Sequence, residues 1–296
     1  MALYGMLEAA LLWYREFRKD LEIKGFKFNA YDGCVANKLV YGKQFTIRFH
    51  VDDLMSSHVD PRVNTKFLKF LNKKYGQHGK VESTRGNVHE YLGMKLRFEK
   101  GKLEVDMIDY VVGMLDEFPV KFKAKESVAN PATSDMFDVG EEKYVDTVER
   151  ELFHRTTAKA LFLCKRARPD IQPIVAVLCT RVKKPTVKDF SKLVRMMKYL
   201  NCTKNDTLLL SADEGLSTIE WFIDASFAVH PDFKSHTGAS MRFGGGKGCP
   251  LNNSAKQKLN TSSSTTSELV AVDHVPCTTD DDVGTVLLRR TGTCCR

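Results

Sequence analysis

In Phe45-Thr46-Ile47-Arg48-Phe49-His50-Val51-Asp52-Asp53-Leu54-Met55, apolar and polar residues alternate strictly as far as Asp52. Phe45, Ile47, Phe49 and Val51 share one face, and Thr46, Arg48, His50 and Asp52 share the other, which is the two-residue period of a β-strand. The pattern predicts a strand with one buried face, ending at Asp52 on its polar face. Asp53 then falls in a turn, and Leu54-Met55 lead back, so Val35 to Met55 reads as a hairpin region. Neighbouring carboxylates on the open face of a half-buried sheet can hold a divalent cation. Aspartate is also a favoured turn residue, and the alternation alone leaves both readings open.

Working outward, residues 3–24 read as a helix stopped by Gly25, with Leu3, Met6, Leu7, Ala10, Leu11 and Tyr14 as its apolar stripe. Pro61 to Tyr75 reads as a second helix, with Val63, Phe67, Phe70 and Leu71 inward and Lys66, Lys69, Lys73 and Lys74 outward. Tyr91 to Val105 suggests two strands joined at Glu99-Lys100-Gly101-Lys102, and Ile108 to Phe118 a helix ended by Pro119. Residues 121–147 are polar and broken by Asn130-Pro131 and Gly140, as a linker is. Helices are expected at about 151–166, 170–182 and 188–200, and from Leu208 strands dominate before a last short helix.

The 296 residues suffice for about two domains. The composition, 43% hydrophobic and 28% charged, is that of a globular chain, and no apolar run approaches a membrane span. Met1 to Ala10 lacks the basic flank and cleavage site of a signal peptide and reads as a chain entering mid-helix. The net charge of +8 favours polyanionic partners. Cys34, Cys164, Cys179, Cys202, Cys249, Cys277, Cys294 and Cys295 form no metal-binding pattern, which fits a reducing intracellular compartment, cytoplasm or nucleus.

A second pair of acids stands out. Thr218 to Ala225 reads as a strand with Ile219, Trp221 and Ile223 on one face and Glu220, Phe222 and Asp224 on the other. Ser262-Ser263-Ser264-Thr265-Thr266-Ser267-Glu268 then opens a helix, and Glu268 is expected in its first turn. There a carboxylate suits a capping arrangement and the helix dipole, and Asp224 reads as the end of an ordinary strand.

The order and spacing of Leu3-Tyr4-Gly5, Trp13-Tyr14, Gly25-Phe26, Phe49-His50-Val51-Asp52-Asp53, Tyr91-Leu92-Gly93-Met94, Arg168-Pro169-Asp170-Ile171 and Lys198-Tyr199-Leu200 resemble Ty1/copia-type retrotransposon reverse transcriptases. Asp224-Ala225-Ser226, His236-Thr237-Gly238, Lys256-Gln257-Lys258-Leu259 and the serine-rich run to Glu268 resemble the RNase H unit of the same Pol polyproteins. The resemblance covers about residues 3 to 275. It departs from the family at His50, where tyrosine is usual, and from Pro276 to Arg296, where it ends.

The resemblance implies an α+β architecture. Residues 1–120 are the later part of a reverse-transcriptase palm with the start of the thumb, and 121–147 a linker. Residues 148–210 are thumb and connection helices, 211–275 the first part of an RNase H-like mixed α/β domain, and 276–296 an unrelated or frameshifted tail. It implies that Asp52, Asp53, Asp224 and Glu268 are catalytic metal ligands for Mg²⁺ or Mn²⁺, weakly held. The family's other palm aspartate precedes residue 3, and its later RNase H acids follow Glu268. Residues 1–296 are therefore expected to be inactive alone, although the ancestral activity is RNA-directed DNA synthesis with RNase H. The implied partners are primer–template, RNA–DNA hybrid and deoxynucleotides, with no membrane. Lys66, Lys69, Lys73, Lys74, Lys183, Lys184 and Lys188 are candidate phosphate contacts. The alternatives are a non-catalytic, basic nucleic-acid-binding remnant and an inert relic.

Overall fold

The computed structural model describes residues 7–51, 53–77, 79–122, 127–141, 143–274 and 286–290, which form two compact units, 1–93 and 94–296. In the first unit α1 (Leu7–Ile23) precedes β1 (Lys27–Phe28), β2 (Val35–Val40), β3 (Lys43–His50) and β4 (Asp53–Ser57), an antiparallel meander in sequence order. α2 (Pro61–Tyr75) and β5 (Val88–Tyr91) complete it.

The alternation in β3 sets this core. Phe45, Ile47 and Phe49 are buried beneath Phe17 and Leu21 of α1 and Val63, Phe67 and Leu71 of α2. Phe49 meets Phe17 edge-on at 5.0 Å, and Phe45 meets Phe67 at 5.6 Å. Each such ring stabilises the unit by about 2–3 kcal/mol through area removed from water. α2 spans its expected range because Asp60 accepts a hydrogen bond from the Arg62 amide, Pro61 opens the helix and Gly76 follows it.

Two expectations need correction here. Val51 does not continue the buried face: β3 ends at His50, and Val51 is 49% exposed with φ 52° in the turn. Reversing the chain in two residues takes one of them out of the strand conformation, so Asp53 begins β4 and does not sit in the turn. In α1, Ala10 and Leu11 are exposed and the sheet is met by Trp13, Tyr14, Phe17 and Leu21, because only the later turns overlie the strands. Leu3 and Met6 of the expected stripe lie outside the described residues.

The second unit opens with β6 (Met94–Glu99) and β7 (Lys102–Asp106), whose Lys100-Gly101 turn has φ 48° and 75°. Then come α3 (Ile108–Glu117), α4 (Thr147–Cys164), a 3₁₀ turn (Pro169–Ile171), α5 (Gln172–Arg181) and α6 (Val187–Cys202). β8 (Leu208–Leu210) returns antiparallel to β7. The helices bury Phe153, Leu163, Ile171, Ile174, Leu178, Leu193, Met196 and Leu200. Arg168, 2% exposed, donates to both Asp170 oxygens and to the Thr203 carbonyl, tying the 3₁₀ turn to the end of α6.

β9 (Ile219–Ser226), β10 (His236–Phe243) and β11 (Leu251–Lys256) form an antiparallel sheet, followed by α7 (Ser264–His274) and β12 (Val286–Arg290). β12 pairs parallel to β9, giving a mixed sheet of order β11-β10-β9-β12. A strand thus lies within 276–296, the stretch expected to be an unrelated tail; Pro276 and Asp280 to Asp282 lie outside the described residues. The described parts of 121–147 are tethered. Lys188 pairs with Asp135 at 3.3 Å and with Asp138, Thr186 Oγ1 donates to Val139 O, and Phe137 packs on His230 and His236. The chain is mixed α/β, and no described helix is long and apolar enough to cross a membrane.

Candidate functional site

The β3–β4 hairpin carries the first pair of acids. Asp52 lies outside the described residues. Asp53 is exposed and sits across the ladder from His50, two residues after the strained Val51. A β-branched residue at positive φ is rare, and holding it there costs about 1–2 kcal/mol.

Tyr91 stands close by. It is 5% exposed; burial raises the pKa of its phenol, Arg48 opposes this, and Asp53, Cys34 and Asp32 add to it. The carboxylates of Asp53 and Asp32, the Arg48 guanidinium and the Tyr91 phenol therefore share one electrostatic neighbourhood. Asp32 is held there by accepting the Cys34 amide at 2.8 Å, in a loop where Asn29 caps the Tyr31 and Asp32 amides. The sequence gives no hint of this grouping, since it depends on how the 29–34 loop folds back along β3.

The lysines divide into two sets. Lys66, Lys69 and Lys73 are exposed on α2, and Lys183 and Lys184 are exposed after α5. Lys74 and Lys188 are committed to ion pairs, Lys74 with Glu16 at 3.1 Å and with Asp20, Lys188 with Asp135 and Asp138. Lys74 is exposed as expected, and its ion pairs also join α2 to α1. Asp20, 7% exposed, accepts from Lys74 and Tyr75; these bonds outweigh burial and lower the pKa of its carboxyl.

In the second unit, alternation along β9 sets Asp224, exposed, with Glu220 and Phe222. Trp221 and Ile223 take the other face, under Ala271 of α7. Glu268 falls in the second turn of α7, a correction to the first-turn expectation. Ser263 caps the helix by accepting the Thr266 amide at 3.1 Å, and Ser264 is the first helical residue. Glu268 is half-buried.

Next to Asp224 lies a polar network that composition did not reveal. His230 Nε2 and His236 Nδ1 share a hydrogen bond at 3.1 Å, and His236 Nε2 bonds Ser254 Oγ at 2.8 Å. Burial, with His230 alongside, lowers the pKa of His236 to about 4. Glu220 pairs with Arg242 at 2.6 Å on the same face.

Carboxylate oxygens suit a hard divalent cation. Among the described residues, however, no three His, Cys, Asp or Glu side chains come together as a metal-binding set. Asp53, Asp224 and Glu268 each supply oxygen donors.

Comparison with known proteins finds no matching family model. The chain is 22% identical over 239 residues to a transposon Ty5-1 protein of Saccharomyces cerevisiae, covering 80% of this chain and 74% of that protein. It is 24% identical over 255 residues to the retrovirus-related Pol polyprotein from transposon TNT 1-94 of Nicotiana tabacum, covering 83% of this chain. It is 26% identical over 238 residues to that from transposon RE1 of Arabidopsis thaliana, covering 78% of this chain. It spans only 18% and 15% of those two polyproteins. Matches of this extent to several transposon proteins show that the chain is similar to one segment of copia-type retrotransposon Pol polyproteins.

Proposed function

We propose that residues 1–120 are the hairpin-bearing part of an RNA-directed DNA polymerase palm, 148–210 its thumb and connection helices, and 211–275 part of an RNase H-like domain. The observation that carries this reading is the β3–β4 hairpin. Its buried face is locked into an aromatic core, while Val51 in the turn and Asp53 at the start of β4 are exposed to solvent. A rigid scaffold with carboxylates at an open turn is what in-line nucleotidyl transfer needs, since its metal ions are held by side chains that do not move. Asp52 and Asp53 would hold Mg²⁺ or Mn²⁺ in the palm, weakly, and Asp224 and Glu268 would do so in the RNase H-like part. When bound, the ion activates the attacking oxygen and stabilises the leaving group. Tyr91 and Arg48 order the hairpin end, and exposed Lys66, Lys69 and Lys73 meet the phosphates of primer–template.

Primer extension by a polyprotein segment that contains this chain should be lost on Asp52→Asn. Extension that survives Asp52→Asn overturns the assignment. The second reading, nucleic-acid binding without catalysis, is favoured by the row of exposed lysines on α2. It predicts binding whose logarithm falls with log salt by about 0.9 per duplex phosphate neutralised.

A further inference from the structure

The opposite end of the β meander from Asp53 has an unexpected surface. β2 and β3 are joined by Tyr41-Gly42, both left-handed, with φ 52° and 69°. Such two-residue turns favour Asn, Asp or Gly at the first position, because a bulky Cβ strains there. A tyrosine in this place gains nothing from the fold, since it is 75% exposed. Around it lie Leu39 and Val59, 75% and 76% exposed. Val59 follows His58, whose Nε2 bonds the carbonyl of Val40, the residue before Tyr41, at 3.2 Å.

The charged groups nearby are mostly basic. Lys43 is exposed on the other side of the turn, and Arg62, its side chain 86% exposed, lies within electrostatic reach of the Tyr41 phenol. Lys66 follows one helical turn after Arg62 on α2. The acid next to Arg62 is Asp60, which caps α2 and binds the Arg62 guanidinium through both oxygens.

We propose that Tyr41 is a stacking platform for an unpaired base of single-stranded nucleic acid whose phosphates are met by Lys43, Arg62 and Lys66. A flat ring flanked by cations is the arrangement by which proteins hold single strands without reading sequence. The proposal rests on the reading that this chain binds nucleic acid, and adds to it a single-strand subsite away from the Asp52-Asp53 turn.

The test uses the full 296-residue chain, a fluorescein-labelled dT₁₂ strand and a 12-base-pair duplex, with anisotropy as readout. Tyr41→Asn relieves the backbone at the turn, so the variant folds at least as well as the parent. It should weaken dT₁₂ binding by about fivefold or more, the loss of one stacked base, and leave duplex binding within about twofold. Tyr41→Phe should keep dT₁₂ binding. Equal dT₁₂ affinity for the parent and Tyr41→Asn overturns the stacking site and leaves the broader reading intact, whereas no binding to either probe by the parent overturns both. Concentration-dependent self-association that is abolished by Tyr41→Asn, with dT₁₂ binding unchanged, assigns the surface to a second copy and also overturns the proposal.

Discussion

The two acid-bearing regions are built differently. The hairpin of Asp52 and Asp53 rests on a deep aromatic core, in which Phe17, Phe26, Phe45, Phe49 and Phe67 interlock. The sheet carrying Asp224 has a small core of Trp221, Ile223, Ala239 and Ala271. Its shape is held by polar bonds: His236 to Ser254, Gln257 to Thr237 and to the Ser267 carbonyl, and Arg242 to Glu220. A dry aromatic core is indifferent to pH and costly to truncate, whereas a buried polar network depends on the protonation of its members. The same kind of carboxylate is thus presented by one scaffold that resists acid and another that does not.

The chain's two tryptophans report separately on the two regions, Trp13 stacked 4.9 Å from Phe17 and Trp221 buried in the sheet. Urea melts of Trp13→Phe and Trp221→Phe backgrounds therefore follow each region alone. The largest effect is expected from Phe49→Ala, about 3–5 kcal/mol lost from the transition seen by Trp13. A loss under about 1 kcal/mol would mean that the aromatic core collapses around the gap and is less well packed than its contacts indicate.

Acid should separate the regions next. His236 has its pKa lowered from 6.5 to about 4 by burial and by His230, so the folded form holds it neutral while the unfolded form binds a proton. Its contribution is complete above pH 6.5 and is lost as pH falls towards 4, up to about 3 kcal/mol in the transition seen by Trp221. His230, Lys256 and Asp232 face the same network; Lys256 lowers the His230 pKa and Asp232 raises it. In the hairpin region Asp20 has a lowered pKa, so its contribution is present above its ordinary 3.8 and is lost only below that pH. The transition seen by Trp13 should stay flat from pH 7 to 5. Equal slopes for the two probes would break the comparison.

Smaller effects sharpen it. Ser263→Ala removes the cap of α7 and should lower the stability seen by Trp221 by about 1 kcal/mol. Val51→Gly relieves the left-handed turn, and after the added entropy of an unfolded glycine should raise the stability seen by Trp13 by about 0.5 kcal/mol. A destabilised Val51→Gly would mean that the exposed Val51 side chain packs on something that supports the turn.

Much of this difference was visible in the sequence where one face is buried. The strict alternation of Phe45 to Phe49 specified β3, and the spacing of Val63, Phe67, Phe70 and Leu71 located α2 at Pro61–Tyr75. The alternation failed at Val51, because a two-residue turn overrides the apolar pattern at its edge. Glu268 was placed a turn too early because any of several adjacent serines and threonines could cap α7, and only packing selects Ser263. The approach of Asp32 and Arg48 to Tyr91, the bond of His236 to Ser254 and the tethering of Asp135 and Asp138 to Lys188 all join residues far apart in sequence. Local patterns carry no signal of such pairings.

The central claim is that the β3–β4 turn is the cation-holding end of a polymerase palm, and Mn²⁺ titration of the isotopically labelled chain tests it most directly. Paramagnetic broadening should be saturable and strongest at the amides of His50, Val51, Asp53 and Leu54, be competed by Mg²⁺, and vanish there in Asp52→Asn. Broadening that bypasses this turn, or that is unchanged by Asp52→Asn, would contradict the assignment.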